Sequence, residues 1–219
     1  MGEDHEGERG VAERVADLMH LMGDAYLLTT SRRLVLVRHG EARHVTKGDR
    51  YDPGLSPRGK TQAVQVATRI AMWASARDMA LFTSPRRRAV ETAQSIAVQT
   101  DVAPEADPGL TEVGGDGVPV AHRLPDTNGG VARFCWDVPE RPFRGTATAG
   151  VDAVLARSGA ELVVVVTHGG VINAYVARLL GLDCDFFFHA GHTSLTVARM
   201  MGNRMALDRL NDTGHLELR

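Results

Sequence analysis

Leu34-Val35-Leu36-Val37-Arg38-His39-Gly40-Glu41 is the stretch that decides the fold. Four consecutive leucine or valine residues, with no polar alternation, read as a short strand buried on both faces. The apolar run stops at Arg38-His39-Gly40-Glu41, which puts polar chemistry at the strand's carboxyl end. Further along, Leu162-Val163-Val164-Val165-Val166 repeats the design and runs into Thr167-His168-Gly169-Gly170, after which a helical pattern begins. In open α/β sheets ligands bind beyond the carboxyl ends of strands, where strand order reverses. His39 and His168 are therefore predicted to face one pocket.

The segments between these strands supply helices. Ser56-Pro57 is a helix start, with serine as cap and proline at the first helical position, and Ala63, Val66, Ala67, Ile70 and Ala74 form the buried stripe. Met79 to Thr83 reads as the next strand. Ser84-Pro85 then reuses the capping device, placing Arg88 about one turn inside a helix faced by Ala89, Ala93 and Ile96. Val151, Val154 and Leu155 mark a helix ending near Gly159, and Ile172, Tyr175, Val176 and Leu179 mark another that stops at Gly181. Ser194 to Met201 and Met205 to Leu210 alternate like two strands of an edge hairpin turning at Gly202-Asn203. The β-α-β-α order predicts an α/β fold, a three-layer α/β/α arrangement with a mostly parallel central sheet.

Two regions depart from this pattern. Residues 1–30 read as an N-terminal extension in which Val11, Val15, Leu18, Met19 and Met22 make a peripheral amphipathic helix. Residues 31–219 read as a single domain interrupted by an irregular cap insertion over about 113–147, rich in glycine and proline. Phe134, Trp136 and Phe143 favour a lid there, because a linker has little use for large apolar rings.

Composition narrows the function. A chain of 219 residues with 43% hydrophobic content can bury one good core. The formal charge of −2 gives no global field toward nucleic acid or membrane. No apolar run approaches a membrane span and the amino terminus is acidic, so a cytoplasmic location is expected. Cys135 and Cys184 have neither the number nor the spacing of a disulfide framework or zinc knuckle, and reduced thiols are expected. Phe186-Phe187-Phe188 reads either as core or as a homodimer interface.

Among nine histidines, His5, His20, His122 and His215 read as surface or hydrogen-bonded structural residues. His39 and His168 differ, each following a buried strand and preceding a glycine that lets backbone approach a ligand. Metal binding would recruit Glu41, His44 or His192, but no recognised ligand spacing appears. A dinucleotide fingerprint is absent, since His39-Gly40-Glu41-Ala42 stands where G-x-G-x-x-G belongs. Phosphoryl transfer fits best. A neutral imidazole attacks phosphorus, and a covalent intermediate splits one hard displacement into two easier ones. Arg38, Arg88 and His168 are donors for the equatorial oxygens, needing no metal and no cofactor. Glu112, in Leu110-Thr111-Glu112, is the candidate acid for the departing alkoxide.

From Leu34 to Val197 the chain resembles the histidine phosphatase superfamily, the phosphoglycerate mutase-like group. Leu36-Val37-Arg38-His39-Gly40-Glu41 is similar to the nucleophile motif, implying that His39 is phosphorylated and Arg38 holds phosphate. Leu55-Ser56-Pro57-Arg58-Gly59 with Gln62-Ala63 resembles a second motif, and Thr83-Ser84-Pro85 through Arg88-Ala89 and Thr92-Ala93 a third, which implies phosphate binding by Arg88. Leu110-Thr111-Glu112 resembles the acid/base segment, and Thr167-His168-Gly169-Gly170 the second histidine motif, with Gly169 beside the phosphate. Three places depart from the pattern. Val45 replaces a frequent asparagine, leaving Thr46 or a backbone group to make that contact. Asp116 stands where glycine usually follows the glutamate. His192-Thr193-Ser194 replaces Asn-Ala-Ser, which brings His192 to the pocket rim or makes it a strand cap.

The expected activity is metal-independent hydrolysis of a phosphomonoester, best at mildly acidic to neutral pH. The substrate is expected to be a small phosphate ester, contacted by Thr46, His192 and Trp136. Two alternatives stand beside it. A mutase of the phosphoglycerate type would need a tight anion-lined cap, and Arg123, Arg133, Arg141 and Arg144 are scattered. A non-catalytic phospho-ligand binding module would need neither His39 nor Glu112.

Overall fold

Arg33–Arg38 forms strand β1 at the centre of a six-stranded sheet. The computed structural model describes residues 32–44, 52–75, 77–112, 143–184, 186–201 and 204–217, with Phe143 described for its backbone alone. The expected N-terminal helix, most of the cap insertion with Phe134 and Trp136, and the Gly202-Asn203 turn lie outside the described residues.

After β1 come helix α1 (Pro57–Ala74), β2 (Met79–Thr83), helix α2 (Arg87–Thr100) and the short β3 (Pro104–Ala106). Helix α3 (Phe143–Arg157), β4 (Leu162–Thr167), helix α4 (Gly169–Leu180), β5 (Leu195–Met201) and β6 (Arg204–Asp212) follow. The strand order is β3-β2-β4-β1-β5-β6. β1 pairs parallel with β4, and β2 parallel with β4 and β3, while β5 and β6 add an antiparallel edge. The sheet is thus mostly parallel, with the expected hairpin at one margin.

Strand alternation assigns the two faces. Leu34, Leu36, Val163 and Val165 point to a core closed by α3 and α4 through Val151, Val154, Ile172 and Tyr175. Val35, Val37, Val164 and Val166 point the other way, to a core closed by α1 and α2 through Val66, Ile70, Ala89, Ala93 and Ile96. This is the three-layer α/β/α arrangement. Each of these strand side chains is almost wholly removed from water, worth about 1.5–3 kcal/mol apiece. That explains the continuous apolar runs. Because α1 leaves β1 toward one face and α4 leaves β4 toward the other, a crevice opens at the carboxyl ends of these neighbouring strands.

The helix ends follow local chemistry. Ser56 caps α1 and accepts from Gly59 N at 2.9 Å. Gly181, at φ 66°, ends α4 in the left-handed conformation that glycine takes without cost. Arg32 ties β1 to the end of α3 by donating to Ala160 O at 2.9 Å and Leu155 O at 2.8 Å.

Three expectations are corrected. Helix α2 begins at Arg87 with Arg86 as its cap, so Arg88 is the second helical residue rather than one turn in. Ser84 is instead held close to His168. The irregular stretch expected to reach 147 gives way to helix at Phe143. Cys184 is disulfide-bonded, not a reduced thiol, to a partner outside the described residues. Cysteine count and spacing carried no signal for this, because whether a thiol finds a partner depends on Cα separations of a few ångströms that residue order does not show.

Candidate active site

The parallel register of β1 and β4 sets Arg38 beside Thr167, and His39 N donates to Thr167 O at 3.0 Å. One residue beyond, the rings of His39 and His168 lie 5.1 Å apart, edge to face. Both are buried, at 5% and 0% exposure. The third member arrives from β2 and α2. Arg88 donates through Nε to His39 Nε2 at 3.0 Å and lies 3.1 Å through Nη2 from His168 Nδ1.

These bonds determine the tautomers. His39 Nδ1 lies 2.7 Å from Gly40 O. A carbonyl only accepts, so Nδ1 carries the proton and Nε2 keeps its lone pair. For His168, Nδ1 accepts from Arg88, leaving Nε2–H to donate to Ser84 Oγ at 2.8 Å. Burial, His168, Arg88 and Arg38 hold the His39 imidazole well below its ordinary value. Burial, then Arg88, Arg38 and Arg86, do the same to His168. Both rings are neutral at physiological pH.

Arg38 sits across from Arg88. It donates through Nη1 to Ala190 O, while its buried Nε has no hydrogen-bond partner among the described residues. An unpaired buried guanidinium donor is costly unless something anionic takes it. Burial lowers both guanidinium pKa values, and Glu112 opposes that shift in each. The Glu112 carboxylate therefore lies within electrostatic reach of both arginines. Asp52 stands 3.9 Å from Arg88 Nη1. Gly169 is the first residue of α4, packed beside Arg38. The helix thus points its amino end, where N–H groups are unpaired, toward the two histidines.

A second layer holds His39 in place. Gly40 N donates to Thr92 Oγ1 at 3.0 Å, and Glu41 N to Gln62 Oε1 at 2.9 Å. Ser56 N donates to Glu41 O at 2.8 Å, and Ser56 Oγ to the Glu41 carboxylate at 2.6 Å. His192 enters from the loop before β5, its ring 5.9 Å from that of His39.

Of the residues singled out from the sequence, the structure brings together Arg38, His39, Arg88, Glu112, His168, Gly169 and His192. Thr46 and Trp136 lie outside the described residues, and His44 is exposed. His215 is buried with Nε2 3.2 Å from Thr193 Oγ1, the structural kind of histidine expected of it. Sequence reasoning missed two neighbours. Ser84 was assigned to a helix cap, although its place just after a central parallel strand is the signal His39 and His168 also carry. Asp52 was read as part of a turn, and no local signal tied it to Arg88.

Comparison with known proteins places this arrangement in a family. The model of the histidine phosphatase superfamily (branch 1) matches residues 34–118 and 140–213. Human 6-phosphofructo-2-kinase/fructose-2,6-bisphosphatase 4 is 36% identical over 113 residues, 48% of this chain and 24% of that protein. The chain thus spans about a quarter of that relative's length. Glucosyl-3-phosphoglycerate phosphatase of Mycobacterium tuberculosis (strain ATCC 25618 / H37Rv) is 31% identical over 175 residues, 69% of this chain and 77% of that one. The structure of a mycobacterial glucosyl-3-phosphoglycerate phosphatase complexed with VO3 superposes with a TM-score of 0.63 at 25% identity, covering 83% of this chain and 100% of that chain. With the motifs, the fold and these relatives in agreement, the chain belongs to the histidine phosphatase superfamily.

Proposed function

We propose that the chain is a phosphomonoester hydrolase working through a phosphohistidine on His39, with a small phosphorylated metabolite as substrate. The observation that carries this is the His39 tautomer. Its Nδ1–H is spent on Gly40 O, so Nε2 presents a lone pair to a space bounded by two guanidiniums and a second imidazole. The bisphosphatase and phosphatase relatives named above support the reaction class.

In the first half-reaction Nε2 attacks phosphorus, the N–P bond forms and the ester P–O bond breaks. Glu112 gives its proton to the departing oxygen. Arg88 Nε–H bonds to the Nε2 lone pair, and the incoming phosphoryl group takes over that N–H. Arg38 contributes its unpaired Nε–H to an equatorial oxygen. His168 faces the pocket with Nδ1 while Ser84 anchors Nε2–H. A bound dianion favours the protonated ring, which then donates through both nitrogens. In the second half-reaction water attacks, Glu112 takes its proton, and the N–P bond breaks to release inorganic phosphate.

The test is to trap the intermediate. Incubation with a labelled phosphate ester and quenching in base is expected to leave acid-labile label on the wild-type protein and none on His39→Ala. Turnover without label, or label that survives the substitution, overturns the mechanism. Release of inorganic phosphate rather than an isomerised ester separates hydrolase from mutase.

A further inference from the structure

We propose that His192 is a specificity residue that contacts the leaving group next to the ester oxygen and selects phosphate esters with a hydroxyl on the neighbouring carbon. The proposal rests on the hydrolase reading above.

Distance sets what His192 can touch. Reacting atoms stand about 3–3.5 Å apart before attack, and the His192 ring lies 5.9 Å from the ring of the nucleophile. A ring held that close to the nucleophile stands beside the phosphoryl group and the first atoms of the leaving group, not beside its remote end. Among the described residues the His192 nitrogens have no hydrogen-bond partner, unlike the ring nitrogens of His39 and His168 engaged by Arg88, Gly40 and Ser84.

The turn that presents His192 is built at a cost. Thr193 has φ 56°, a conformation that a β-branched residue rarely adopts. Such a backbone persists only where its surroundings over-determine it, and it concentrates at functional sites. Here Thr193 N donates to Arg38 O at 3.0 Å and approaches His39 O at 3.4 Å, while its hydroxyl donates to His192 O at 2.7 Å. From the other side His215 Nε2 meets that hydroxyl, and Asn211 Oδ1 accepts from Gly191 N at 2.7 Å. The same loop supplies Ala190 O to Arg38. The chain segment after β5 thus clamps His192 to the strand end that carries the nucleophile.

Charge selects the ligand chemistry. Burial and Arg38 push His192 down to about 4, against the pull of Glu41, with His189 and Arg58 adding smaller downward effects. A neutral imidazole offers one donor and one acceptor. Glu41, bonded to Ser56 and near Arg58, stays ionised beside it. A second anionic group at this place meets a carboxylate, whereas a hydroxyl both donates and accepts.

The experiment compares glycerol 1-phosphate with propyl phosphate, which lacks both the neighbouring and the terminal hydroxyl, and with 3-hydroxypropyl phosphate, which lacks the neighbouring hydroxyl alone and is expected to behave as propyl phosphate does. The wild-type enzyme is expected to prefer glycerol 1-phosphate. His192→Ala is expected to lower kcat/KM for glycerol 1-phosphate by about 10-fold, the worth of one hydrogen bond, and to change propyl phosphate by less than about 2-fold. His192→Gln, which keeps a donor and an acceptor, is expected to restore part of the preference. A parallel fall on glycerol 1-phosphate and either other ester, no change on any, or a wild-type preference for propyl phosphate overturns the proposal while leaving the hydrolase reading intact. A wild-type protein that releases phosphate from none of the esters and takes up no label overturns both.

Discussion

Replacing Gly40 by alanine tests whether the nucleophile loop is held as tightly as its contacts imply. A Cβ built at Gly40 falls 2.6 Å from Gly59 O and 3.1 Å from Leu55 Cδ2, where ordinary contact begins at 3.4 Å. The gap must open by about 0.8 Å, and the obstacle is the backbone of α1, which cannot swing aside like a side chain. Overpacking of this kind costs about 1–3 kcal/mol. For a chain of this size that is about 2–4 °C of Tm per kcal/mol. The catalytic effect is of similar size in free energy. Gly40 holds the proton of His39 Nδ1 through its carbonyl and bonds Thr92 through its N–H, so a shift of nearly 1 Å carries His39 with it. Misplacement on that scale costs about 10²-fold in rate. Phosphate release and thermal unfolding are measured on Gly40→Ala beside Gly145→Ala, where a Cβ in helix α3 meets nothing within 4 Å among the described residues. The Gly145 variant is expected to be fully active and stabilised by about 0.5–1 kcal/mol, since alanine suits a helix better. If Gly40→Ala matches wild type in both rate and Tm, the close-approach reasoning is wrong.

Ser84→Ala strips the acceptor from the buried His168 Nε2–H and is expected to cost about 1–3 kcal/mol of stability. Weaker binding of inorganic phosphate, measured by calorimetry, is expected with it; unchanged affinity and unchanged Tm would show that Ser84 does not position the ring. The pH dependence of stability follows from the same buried rings. His39 and His168 stay neutral when folded but take up protons near 6.5 when unfolded. Below that pH the unfolded state binds more protons, so stability falls on acidification, by at most about 1.4 kcal/mol per pH unit for each ring. Urea midpoints at pH 7.5 and 5.5 check the sign, with a shallower drop expected in His168→Gln; a midpoint that rises toward pH 5.5 contradicts it.

The strands and helices that frame the site were legible in the sequence because their signals are local. An apolar run of five residues such as Leu162-Val163-Val164-Val165-Val166 has one economical use, and Ser56-Pro57 caps a helix through atoms three residues apart. The same locality misled at Ser84-Pro85. There the serine hydroxyl found a buried imidazole 84 positions away, and the helix began later. Asp52 escaped for the same reason, since Arg88 is near it only in space.

By itself the sequence determined which residues end the two central strands, and so which groups had to share a crevice. It left undecided which nitrogen of each histidine carries its proton, which arginine donors lack a partner, and that the turn at Thr193 brings His192 alongside His39. Those depend on groups from β1, β2, β4, α2 and the loop before β5 meeting within hydrogen-bond distance. Only the folded packing decides that, because a hydrogen bond depends on ångström-scale geometry that residue order does not carry.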